Sequence, residues 1–135
     1  MHTSTGKIVY DPKRHGMKSR KDWWCIVEVD REITRYYRWW VESQLHIKGM
    51  CQPSWDAHIS VVRGEKPRAD LMHLWKKYQG KKVEFQYNHS PYSVPDKEGH
   101  YWMVEVECPQ LLDIRKELQR PSNWKLHLTI GRTHF

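Results

Sequence analysis

Apolar and polar positions alternate along residues 23–30 (WWCIVEVD), which predicts a strand with Cys25, Val27 and Val29 on one face. Ile33, Tyr36, Tyr37, Trp40, Val41 and Leu45 then recur at helical spacing over 31–45, and Gly49 and Pro53 close the segment. Residues 55–62 (WDAHISVV) read as a second strand. Pro67 stands where a helix can start, and Leu71, Leu74, Trp75 and Tyr78 form one stripe before Gly80. Three further strands are expected at 82–88 (KVEFQYN), 100–107 (HYWMVEVE) and 124–131 (WKLHLTIG). A short helix at 109–119 turns Leu111, Ile114 and Leu118 inward, and 89–99, with Pro91, Pro95 and Gly99, reads as a loop. Residues 1–22 read as an irregular basic arm with a short strand over 7–10, leaving 23–135 as a single domain.

Overlaying the two halves exposes a repeat. WCIVEVD at 24–30 matches YWMVEVE at 101–107, setting Ile26 on Met103, Val27 on Val104 and Glu28 on Glu105. WDAHISVVR at 55–63 matches WKLHLTIGR at 124–132, with Trp, His, hydroxyl and Arg all in step. A helix lies between the members of each pair. The expected fold is therefore α+β, a single domain of two pseudo-symmetric strand–helix–strand lobes around a central cleft, with the helices outside.

The chemistry lies in the matched strands. Residues two apart project from the same strand face, so His58 points with Ser60 and His127 with Thr129. Ala57, Ile59 and Val61, like Leu126, Leu128 and Ile130, fall on the opposite, apolar face. One imidazole can accept a proton while its partner donates one, which is what displacement at phosphorus requires on its two sides. The hydroxyls can hydrogen-bond the non-bridging oxygens. A single His-x-Ser/Thr strand is a weak signal; the repeated pattern is what raises it above incidental histidines.

Charge changes the picture modestly. Lys and Arg number 23 against 16 Asp and Glu, a formal charge of +7, which favours polyanionic partners. Eight Trp and seven Tyr leave rings to spare for base stacking after a core is filled. Tyr10 and Tyr92 are the stacking candidates; the alternative for each is an ordinary packing aromatic. Arg63 and Arg132 either reach phosphate or cap a strand end. Glu28 and Glu105 either orient an imidazole or accept a base amine, unless they are plain surface charges. Trp55 and Trp124 read as core, Trp39 has no assigned role, and Lys13, Arg14, Lys18, Arg20 and Lys21 make a solvated arm that could also attract an anion. The other histidines, His15 among them, show no metal-ligand spacing, so neither metal nor cofactor is expected. Three scattered cysteines suit a reducing compartment. No apolar run approaches the roughly 20 residues of a membrane span, and no secretory signal opens the chain, so the expectation is a cytoplasmic protein with no membrane association and no obligate protein partner.

HISV at 58–61 and HLTI at 127–130, with the duplicated strand–helix–strand plan over 23–132, resemble the two-histidine phosphoesterase superfamily. The resemblance implies that His58 and His127 form the acid/base pair and that Ser60 and Thr129 donate to phosphate. Ser60 replaces the commoner Thr and keeps its hydroxyl, and the chain is shorter than typical members. Its compact size and the IVYDPKRHGM and YYRWWVES segments look most like the phage anti-CBASS nucleases. That likeness implies a metal-independent hydrolase cleaving 3′-5′ bonds of cyclic di- or trinucleotide signals in the host cytoplasm. Two other readings stay open: a phosphodiesterase opening 2′,3′-cyclic phosphates at ends of short RNA, and a non-catalytic nucleotide-binding sponge.

Overall fold

A computed structural model describes residues 1–13, 22–53 and 57–134. Its strands are β1 (His2–Tyr10), β2 (Trp24–Glu28), β3 (His58–Arg63), β4 (Lys82–Tyr87), β5 (Tyr92–Pro95), β6 (Gly99–Glu107) and β7 (His127–His134). Two helices, α1 (Arg31–Gln44) and α2 (Pro109–Glu117), and a short 3-10 helix at Ala69–Leu74 complete the mixed α+β domain. The strands pair in the order β4-β1-β2-β3-β7-β6-β5, and β4 also pairs with β6. Every pairing is antiparallel, and the extra contact closes β4, β1, β2, β3, β7 and β6 into a ring. The ring is narrowest at two places: Ile59↔Leu128 joins β3 to β7, and Gln86↔Glu107 with Tyr87↔Val106 joins β4 to β6.

Strand alternation sorts the side chains. Ile8, Val27, Ile59, Leu128 and Val104 face one way across successive strands and share a core with Val83, Phe85 and Val106. Tyr37 and Val41 of α1 and Leu111 and Ile114 of α2 fill the same core. Asp30 begins α1 by accepting from the Glu32 amide at 2.9 Å, and Pro109 occupies the first turn of α2, where no amide is required. Each helix reaches across to the strand of the other half. Arg38 of α1 donates to the Ile130 carbonyl at 2.9 Å, and Arg115 of α2 donates to the Val61 carbonyl at 2.8 Å.

Three expectations change. The first is the irregular arm: residues 2–10 form a nine-residue strand between β2 and β4. Its Thr and Ser residues suit extended backbone, and pairing on both edges supplies the stability that a polar sequence does not announce. Gly6 serves close packing here, since a Cβ would meet Val27 Cγ1 and the Glu28 carbonyl. Of the arm's basic residues, Arg14, Lys18, Arg20 and Lys21 lie outside the described residues, as does His15.

The second is the 67–78 helix, reduced to the 3-10 turn; the backbone is extended at Trp75, and Lys76 has φ 70°. Tertiary contacts hold Trp75 there: its indole donates to Asp11 Oδ2 at 3.0 Å, and its ring stands edge-on to Tyr10 with centroids 4.9 Å apart. The third is the 89–99 loop, which contains β5. As an outer strand paired only to β6, it tolerates Pro95 at its end. Trp55 and the start of its expected strand lie outside the described residues; β3 is seen from His58 onward. The final strand begins at His127 rather than 124 and runs to His134.

Candidate active site

Ile59 and Leu128 are fully buried and directly paired, while the residues on either side of them are half-buried. Alternation about that pair turns His58, Ser60, His127 and Thr129 to the face opposite the core. Antiparallel geometry sets His58 beside Thr129 and Ser60 beside His127, so the two imidazoles lie on a diagonal. Diagonal neighbours stand roughly 7–8 Å apart, and somewhat less at Cβ. That separation leaves room for a phosphate between the rings.

The flanking strands extend this face on both sides. Glu28 lies directly opposite His58, and Ile26 opposite Ser60; Glu105 lies opposite His127, and Met103 opposite Thr129. Each histidine therefore has an exposed glutamate as its immediate cross-strand neighbour. The register shifts between Cys25 and Ile26 on one side and between Trp102 and Met103 on the other. Beyond those bulges β3 and β7 separate, and the strand edge of β7 is taken up by Cys51, whose amide and carbonyl bond Arg132 at 2.8 and 3.0 Å. The splay explains why a single residue pair joins the two histidine strands.

Individual hydrogen bonds set the polarity of the site. A backbone carbonyl only accepts, so the 3.2 Å contact between His127 Nδ1 and the Lys125 carbonyl keeps the proton on Nδ1. Nε2 is then the nitrogen that gains or loses a proton. Ser60 Oγ accepts from the Trp24 indole at 3.1 Å, which leaves the serine proton available to donate outward. The Trp24 ring also stands edge-on to His58, with centroids 5.1 Å apart. Trp24 is a site residue that alternation alone hides: it is buried, as a core residue is, but on the histidine face. Its position two before Ile26 on the same strand was the available signal.

The weaker candidates divide. Tyr92 of β5 pairs with Met103, so its exposed ring continues the row through Thr129, and burial together with the Glu105 charge raises its hydroxyl pKa. Arg63 is exposed at the end of β3 beside Trp24. Two expectations are corrected. Tyr10 is a core residue, only 4% exposed and packed on Trp75, with burial pushing its hydroxyl pKa upward, so no face is presented to a base. Arg132 is committed to the β5–β6 turn: it pairs with Asp96 at 3.1 Å and Glu98 at 3.0 Å and lies over the Tyr101 ring. Trp124 is half-buried against the core as expected, its indole donating to the Ser60 carbonyl at 3.1 Å and its ring stacking on Arg115.

Beside His127, a groove of about 760 Å³ is lined by Glu84, Gln86, Glu105, Glu107, Gln110 and Lys125, among others. It shares Glu105 and Lys125 with the flank of the histidine. Among the described residues, no helix is long and apolar enough to cross a membrane. No protein-family model matches the chain, and no curated protein or solved structure matches it either.

Proposed function

We propose that this protein is a metal-independent phosphodiesterase in which His58 and His127 serve as paired acid and base on a nucleotide phosphodiester. The carrying observation is the register: two His-x-Ser/Thr segments on one face of directly paired strands, with Ile59 against Leu128 as the pivot. The two-lobed reading draws support from repeated detail. Glu28↔His58, Val27↔Ile59 and Ile26↔Ser60 correspond to Glu105↔His127, Val104↔Leu128 and Met103↔Thr129, with a bulge following at the same place. Arg38 and Arg115 correspond as well, each holding the carbonyl that follows the other half's motif.

In the proposed reaction one imidazole removes the proton of a ribose 2′-hydroxyl. That oxygen attacks the adjacent 3′-5′ phosphodiester, and the other imidazolium protonates the departing 5′-oxygen, yielding a 2′,3′-cyclic phosphate. Water then opens the cyclic phosphate with the two roles exchanged. Ser60 and Thr129 donate to the non-bridging oxygens, where negative charge resides. Glu28 and Glu105, directly opposite the histidines on the flanking strands, orient the rings. The carboxylate-lined groove beside His127 suits the amino-bearing edge of a base. By its resemblance to the phage anti-CBASS nucleases, the substrate is a cyclic di- or trinucleotide of bacterial defence.

The test is incubation with a panel of cyclic oligonucleotides in EDTA, with products identified by mass spectrometry. RNA ending in a 2′,3′-cyclic phosphate is assayed in parallel. Turnover with a cyclic-phosphate intermediate is expected, and the 2′-deoxy analogues should resist. Rapid cleavage of a 2′-deoxy linkage would sink the mechanism, and activity confined to the RNA ends would reassign the substrate.

A further inference from the structure

The sheet face that carries the histidines continues past Glu28. Lys7 of β1 is directly opposite Glu28, and Lys82 of β4 is directly opposite Lys7. Lys82, Lys7, Glu28 and His58 therefore stand in one row on one face, each on the next strand. Strands lie 4.7–4.9 Å apart, which sets the Lys7 backbone about 10 Å from that of His58. A lysine stem covers much of that distance. Both lysines are exposed, and among the described residues neither forms an ion pair, although Glu28 is the direct neighbour of Lys7.

Like charges directly opposed across a strand pair are destabilising. Lys7 against Lys82 is such a pair, at a place where an uncharged residue would serve the sheet better. Local arrangements that oppose stability are expected where a ligand compensates them. An anion held between the two ammonium groups removes the repulsion, and its position follows from the row: one side of the histidine pair, beyond Glu28. We infer that Lys7 and Lys82 form a second phosphate subsite, so that the substrate presents at least two phosphodiester groups, one between the histidines and one at the lysines.

The inference rests on the paired-histidine reading, and the experiment separates the two. Wild type, Lys7→Gln, Lys82→Gln and the double variant are assayed on cyclic di-adenosine monophosphate, which has two phosphates, and on adenosine 2′,3′-cyclic monophosphate, which has one. The ratio of kcat/KM for the first over the second should fall several-fold in each single variant and further in the double. The slope of log KM against log salt for the two-phosphate substrate should flatten by about one per lysine removed. Thermal melting provides the control for folding, since relief of the repulsion raises Tm in Lys82→Gln. An unchanged ratio overturns the subsite. Should wild type turn over neither compound, the histidine reading fails, and calorimetric binding of the cyclic dinucleotide decides the lysines separately. Weaker binding by the variants sustains the subsite. Equal binding, or none by wild type at millimolar ligand, overturns it.

Discussion

His127 is the most closely defined group in the site, because the Lys125 carbonyl assigns its Nδ1 proton and leaves Nε2 for chemistry. Replacing either histidine by alanine should lower turnover by about 10²–10⁴-fold, the range for loss of a positioned acid or base. Substrate binding should persist, as calorimetry on the inactive variant would show; a variant retaining full turnover would remove that histidine from the mechanism. The cysteines provide a second measurement at this scale. Burial pushes the Cys25 thiol up to about 12, while Cys51 is exposed. A thiol reagent at neutral pH should label Cys51 quickly and Cys25 only on unfolding, as peptide mass mapping would read. The residue type alone did not separate these three cysteines; the packing around each one does.

At the scale of elements, the crossing arginines carry the most consequence. Arg115 is only 1% exposed and bonds Glu65 twice, the Pro121 carbonyl and the Val61 carbonyl. Arg115→Met leaves the half-buried Glu65 carboxylate and two carbonyls without their partner, so it should cost about 1–3 kcal/mol in denaturant unfolding. Arg38 is half-buried, and its guanidinium donates to the Ile130 carbonyl at 2.9 Å. Arg38→Met should fold while loosening β7, lowering kcat more than it raises KM. The Arg115–Glu65 pair sets a pH dependence. Hydrogen bonding to Arg115 holds the Glu65 carboxyl below the usual carboxylate range. A depressed folded pKa adds stability above the unfolded value, and that stability is lost as pH falls through the folded one. Urea midpoints should therefore drop on acidification below about pH 4.3, and Glu65→Gln should flatten this dependence. An unchanged acid limb in Glu65→Gln would assign the loss to other carboxylates.

For the molecule as a whole, ring closure decides what shares a surface. Strand β1 sits between β2 and β4, so the N-terminal residues border the histidine face rather than trailing from it. With a formal charge of +7, association with a polyanion should weaken as salt rises. A KM for cyclic dinucleotide that does not rise between low and physiological salt would mean that neutral contacts dominate recognition.

Strands β2, β3, β4, β6 and β7 and both α-helices were legible in residue order because each needs only local spacing: period two or 3.6, a capping Asp30, a Pro109 at a helix start. The duplicated His-x-Ser/Thr pattern was likewise local, and so was the face each pair occupies. Nothing local states which strands become neighbours. β1 and β5 were obscured because their stability comes from backbone pairing with distant partners, which polar side chains and prolines do not reveal. The 3-10 turn replaced a helix because Asp11 and Tyr10 hold Trp75, a contact across 64 residues for the hydrogen bond. Tertiary pairing alone moved Tyr10 into the core, tied Arg132 to Asp96 and Glu98, and aligned Lys7 with Glu28 and His58. A side chain's period follows from its own strand, but its neighbours depend on which strands pair and in what register.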